Sequence, residues 1–318
     1  MEHDPDARRQ LLLTFRILRC AIVGASLVMA GALIMEAIRV DIRGSISAYF
    51  YSPARSIFVG GLMAIGVCLI ALQARTVPEE TFLNLAGLLA FVVALVPIQP
   101  DACQLTMPNG PVSFDPQYPM PSWLTTMLKQ VSAGNCRLDK AAGGPSDGLP
   151  SWVVTGIRNN VFSVIVVGAL ALGLILWLRS SSTRRDSTDR SVRAGWIALV
   201  FYGVFLLVGV ALYATFDGNR STSHYYAAVS MFVMFGAVVV ISGWFRKEVP
   251  RAMQIQYRAI AILMALVIPL GAVASVFWLE AAEIALFTWF WTAQTVQIWN
   301  PYGKGAKAIL PANLDVAM

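Results

Sequence analysis

Charge is scarce in this chain, and so are histidine and cysteine. Asp, Glu, Lys and Arg make up 13% of its 318 residues, where a soluble domain carries about a quarter. Hydrophobic residues reach 57% and the mean hydropathy is +0.64. Such a composition excludes soluble enzyme folds and points to a membrane protein whose core is shared with lipid. The 2 histidines, His3 and His224, are too few for a zinc centre built on several imidazoles. The 4 cysteines are too few for a secreted disulfide scaffold. P-loop, dinucleotide, H-E-x-x-H, C-x-x-C and kinase signatures are also missing, so no cofactor and no metal are expected.

What the chain has in quantity is apolar runs of roughly 20 residues, the length a helix needs to cross about 30 Å of hydrocarbon. The runs are Ile17–Ile38, Ile57–Ala74, Phe82–Ile98, Gly156–Leu178, Gly195–Phe216, His224–Trp244, Ala259–Trp278 and Ala281–Trp299. None shows the alternation of a barrel strand, and a helix satisfies its own backbone in lipid. The expected fold is therefore all-α: a polytopic bundle of eight transmembrane helices over 1–300, followed by a tail, 301–318. The first run is too long for the apolar region of a signal peptide and ends at Glu36 without a small-x-small cleavage site.

Most lysines and arginines fall on one side of this arrangement, for example Arg179, Arg184, Arg185, Arg190, Arg193, Arg246 and Arg251. The positive-inside rule then places both termini in the cytoplasm. The same asymmetry accounts for the net charge of +6 without nucleic-acid binding. One outer segment is long, 99–151, rich in Pro, Gly, Asn and Asp. Its Cys103 and Cys136 are expected to form a disulfide, because they lie on the side where such bonds persist. Within it, Trp123–Gln130 suits either an amphipathic turn on the headgroups or a plug over the bundle. Cys20 and Cys68 fall inside spans and read as small packing residues.

An ionisable residue in an apolar span is costly and therefore a functional candidate. Glu36, Arg158, His224, Glu280 and Glu283 all fall at the outer ends of spans, joined by Ser45, Ser47, Tyr49, Arg55 and Asp217 from adjoining segments. The inner half offers only scattered amides such as Asn84, Gln294 and Gln297 beside basic anchors. The outer mixture suits an ion-pair network tying helix ends together or a pocket for a polar headgroup. In the pocket reading, Arg55 and Arg158 meet an anionic group while Glu36, Ser45, Ser47, Tyr49, His224 and Glu283 shape the cavity. A hydrolase or transferase reading takes Ser47 as nucleophile, His224 as base and Asp217 as orienter, without a G-x-S-x-G elbow. A proton- or ion-coupled transporter would use Glu36, Glu280 and Glu283. Glu280 and Glu283 share a helix face at their spacing, with Arg55 or Arg158 as the candidate intervening cation. The alternative is that Glu280 faces headgroups and only Glu283 turns inward. His224 with Glu36, Asp217 or Glu283 as a mixed metal site is a lesser alternative. Small-residue pairs, Gly24 with Gly31, Gly60 with Ala64 and Ala169 with Gly173, are expected at close helix contacts. Pro269 followed by Gly271 suggests a kink in the seventh span.

Three segments taken together, S-I-S-A-Y-F-Y-S-P-A-R-S-I-F-V-G from Ser45, H-Y-Y-A-A from His224 and E-A-A-E-I-A-L-F-T-W-F-W from Glu280, resemble an uncharacterised group of bacterial polytopic membrane proteins. The resemblance implies a multi-pass protein of the bacterial inner membrane, marked at Ser45, Ser47, Tyr49, Arg55, His224 and Glu283. It supplies no mechanism. Membrane lipids are the expected partners, with a second copy or another membrane protein as further possibilities.

Overall fold

The computed structural model describes residues 5–40, 42–98, 220–246 and 249–299, with separate helical positions between 155 and 207. The disulfide expected between Cys103 and Cys136, the segment Trp123–Gln130, much of the fourth and fifth expected spans, Asp217 and the tail all lie outside these residues. By contacts the chain divides into two compact units. One comprises Met1–Pro100, Gln104–Val112 and His224–Met318, the other Asp101–Cys103 and Ser113–Ser223. The first carries the helix ends on which most of the polar candidates sit.

Its described residues form helices and turns, with no strand among them. The helices are α1 (Pro5–Val40), α2 (Arg55–Ala71), α3 (Val77–Leu95), α4 (Arg220–Val240), α5 (Arg251–Val267), the short α6 (Leu270–Val273) and α7 (Val276–Trp299). A 3-10 turn, Ile46–Tyr51, precedes α2, and one turn of π-helix, Ile241–Phe245, follows α4. Among the described residues, three stretches are long and apolar enough to cross a membrane: Leu12–Arg39, Pro78–Leu95 and His224–Phe245. Helix α1 leaves Leu13, Ile17, Leu27, Val28, Ile34, Met35 and Ile38 exposed, an apolar surface that water would penalise and lipid accepts. Length, composition and outward-facing apolar side chains together make this a membrane protein.

Local chemistry explains where the helices begin and end. Thr76 caps α3 through a capping box with Glu79, and Pro78 in the first turn gives up no needed hydrogen bond. Ser45 caps the 3-10 turn by accepting from Ser47 N. The seventh expected run, Ala259–Trp278, is not one helix. Helix α5 starts earlier, at Arg251, and stops at Val267 before the turn at Ile268 and Pro269. The proline has no N–H to donate to the preceding turn, so the helical ladder is interrupted there, while Ile268 itself keeps helical backbone angles. Trp278 consequently belongs to α7.

Helix α1 packs against α2 and α7, α2 against α3, and α7 against α5. Lipid tails are as apolar as leucine, so close packing and internal hydrogen bonds hold such helices together. One core cluster gathers Phe235, Tyr257, Phe290 and Trp291, with ring centroids 5.2 to 5.5 Å apart for Phe290 against each of the other three. A second gathers Met29, Leu33, Tyr49, Phe58, Val93 and Ala227. The tightest approach joins α2 and α3. A Cβ on Gly66 would sit 2.8 Å from the Gly87 carbonyl oxygen, and one on Gly87 2.7 Å from that of Gly66. Among the described residues, nothing lies within 4 Å of a Cβ at Gly24, Gly31 or Gly60, so the close contacts expected there do not form between the described helices. Those glycines lie on surfaces open to the surroundings.

Candidate functional site

Of the polar residues read from the sequence, Ser45, Ser47, Tyr49, His224 and Glu280 converge on the 3-10 turn. Gly44 accepts a backbone hydrogen bond from Phe277 of α7 at 3.0 Å. Just beyond it, the Glu280 carboxylate accepts from the Ser45 hydroxyl at 2.8 Å and from Ile46 N at 2.6 Å. Glu280 thus satisfies the open N-terminus of the turn, and the negative charge suits that end. It therefore neither faces headgroups nor takes Arg55 as its cation. The Arg55 guanidinium lies 4.2 Å from the Phe50 ring centroid instead.

Ser47, inside the turn, reaches across to α4. Its Oγ lies 2.8 Å from His224 Nε2, and His224 Nδ1 is hydrogen-bonded to the Val96 carbonyl at the end of α3. A carbonyl only accepts, so Nδ1 carries the proton. In the neutral ring Nε2 is then an acceptor, and the single proton of the Ser47 hydroxyl is shared between it and the Glu280 carboxylate, to which Ser47 is also hydrogen-bonded. Both side chains are buried, at 4% and 2% exposure. The place a triad would give to Asp217 is filled by a main-chain oxygen. His224 has both nitrogens engaged inside the protein, which leaves neither for its own helix cap or for a lipid phosphate.

Around this pair the turn is tied down on every side. Tyr51 donates to the Ile98 carbonyl at 2.8 Å, and burial pushes its phenol above the usual tyrosine range. Tyr49 is fully buried, with its hydroxyl accepting from Arg43 N at 3.4 Å and the Arg43 guanidinium 5.5 Å from its ring centroid. Burial holds that guanidinium below its ordinary pKa, opposed by Tyr49 and by the negative charge of Glu36. Glu36 itself is buried in α1 and Glu283 in α7. Glu36 Oε1 and Glu283 Oε2 have no hydrogen-bond partner.

Glu36, Ser45, Ser47, Tyr49, Arg55, His224 and Glu283 therefore belong to one unit and one end of its helices. Arg158, an exposed helical residue, belongs to the other unit. Among the described residues no three His, Cys, Asp or Glu side chains gather as a metal site. Sequence reasoning missed Val96 and the capping role of Glu280. A main-chain acceptor leaves no sequence signal, whereas Glu280 was visible as a carboxylate at the start of its span. Comparison with protein-family models, curated proteins and solved structures finds no match for this chain.

Proposed function

We propose that this chain is an eight-span protein of the bacterial inner membrane, with both termini cytoplasmic, that recognises a lipid or amphiphile headgroup at its extracytoplasmic face. The observation that carries the reading is the two buried carboxylate oxygens, Glu36 Oε1 and Glu283 Oε2, left without donors among the described residues of the unit that also holds the Ser47–His224 pair. A buried acceptor without a donor costs about 1–3 kcal/mol, and more when charged. A headgroup bearing an amine or hydroxyls supplies the missing donors. Arg55, in the same unit, is assigned to its phosphate or carboxylate.

The test is native mass spectrometry of the detergent-purified protein beside Glu36→Gln, Glu283→Gln and His224→Ala. A defined lipid retained by the wild type and lost from the folded variants supports recognition. Retention by all four, or by none, refutes it and leaves the polar cluster as a helix-end tie.

A second reading, a membrane-embedded hydrolase or transferase, is favoured by the 2.8 Å hydrogen bond from Ser47 to His224 Nε2. In it, Ser47 Oγ bonds to an acyl or phosphoryl centre while its proton passes to Nε2, which returns it to the departing group. The burial of both side chains requires the 3-10 turn to move before substrate enters, and a main-chain oxygen rather than a carboxylate holds His224 Nδ1, so recognition ranks first. Labelling of Ser47 by a fluorophosphonate in the wild type, lost in His224→Ala, would reverse that ranking.

A further inference from the structure

A second buried polar cluster lies at the opposite end of the same helices, about 25 Å along α1 from Glu36 at a rise of 1.5 Å per residue. One cleft, partly open to solvent, is lined by Arg19, Arg75, Glu79, Ser242, Arg246, Trp291 and Gln294 among others. Arg19, Arg75 and Arg246 line it together with the Glu79 carboxylate. That carboxylate is already occupied: Glu79 pairs with Arg246 at 2.8 Å and accepts from Ser242 at 3.3 Å and from the Thr76 hydroxyl at 3.0 Å. Arg19 donates from Nη1 to Gln294 Oε1 and lies 5.5 Å from the Trp291 ring centroid.

Among the described residues, the buried donors of the cleft without an acceptor include two outside the Glu79–Arg246 pair. They are Arg19 Nε and the Trp291 indole Nε1, on side chains only 4% and 1% exposed. Neither position is a surface anchor that water satisfies, and each orphaned donor is destabilising in a low-dielectric setting. We propose that this cleft binds a phosphate group, carried by a lipid headgroup or free in solution. A phosphate offers charged acceptor oxygens and matches the planar fork of a guanidinium. The indole N–H, which is a donor and nothing else, adds a contact that a cation or an amine would not use. The π-turn contributes by shaping the wall: it carries Ser242 and leads directly into Arg246. This site is independent of the Ser47–His224 end.

The test uses the full chain in a phosphate-free, non-ionic detergent. Binding is followed as a rise in melting temperature in two arms, inorganic phosphate against chloride at matched ionic strength, and mixed micelles with or without phosphatidylglycerol. The wild type is stabilised in at least one arm, and the responding arm identifies the source of the phosphate. Trp291→Phe, which keeps the ring and removes the N–H, and Arg19→Lys, which keeps the charge and removes the fork, each weaken binding at least tenfold. That is the loss expected for one hydrogen bond to a charged group. Should Arg19→Lys fail to fold, Trp291→Phe decides alone. No stabilisation in either arm, or wild-type affinity in folded Trp291→Phe, overturns the proposal and leaves the two donors to water.

Discussion

Replacing Glu79 by glutamine keeps the shape of the side chain and an oxygen for Thr76, but removes the charge that faces Arg246. The pair is 2.8 Å apart with side chains 3% and 6% exposed, so the guanidinium left behind has no ready access to solvent. Breaking a buried pair from one side costs about 3–5 kcal/mol, whereas replacing both partners by uncharged groups of similar volume is often neutral. Glu79→Gln is therefore expected to lower stability by about 3 kcal/mol or more, and Glu79→Gln with Arg246→Met to recover most of the loss. Reversible unfolding in mixed micelles, titrated with sodium dodecyl sulfate and followed by far-UV circular dichroism, measures both. A single-variant effect under about 1 kcal/mol, the range of exposed ion pairs, refutes the reasoning. So does a double variant as unstable as the sum of the two singles.

Gly66→Ala forces a Cβ against the Gly87 carbonyl and is expected to cost about 1–3 kcal/mol, while Gly60→Ala, with open space around it, is expected to be neutral or slightly stabilising; the same titration compares them. Tyr51→Phe removes the hydrogen bond to the Ile98 carbonyl and should cost about 0.5–1.5 kcal/mol without altering retention of any co-purifying lipid in native mass spectra. Alkylation of the unreduced, denatured protein is expected to label Cys20 and Cys68 and to leave Cys103 and Cys136 unlabelled until a reductant is added, as peptide mass spectrometry would show.

Helices α1 and α3 and the stretch from His224 were legible because a single side chain type, large and apolar, fills them almost without interruption. The start of α5 was not. Gln254, Gln256 and Arg258 interrupt its apolar run, yet they are ordinary in a helix whose polar side chains find partners: Gln254 bonds the carbonyls of Arg246 and Val249, and Arg258 that of Gly243. At the candidate site the residue types were visible in the sequence, and the 3-10 turn drew them together. The cluster of Arg19, Glu79, Ser242, Arg246 and Trp291 went unseen because its members come from four separate segments. Each taken singly resembles an ordinary basic anchor, cap or interfacial aromatic. Gln294 read as a scattered amide until the fold placed it against Arg19.

The contact between Gly66 and Gly87 has a mechanical side. Each carbonyl occupies the space where the other helix would carry a methyl group, so the two backbones interlock like pegs in opposed notches. Sliding α2 along α3 would drive main-chain atoms into one another, and small shear between packed helices is the usual means by which bundles change shape. Any rearrangement of the first unit must therefore carry α2 and α3 as one stiff body, bringing the 3-10 turn at one end and the Thr76–Glu79 cap at the other along with it.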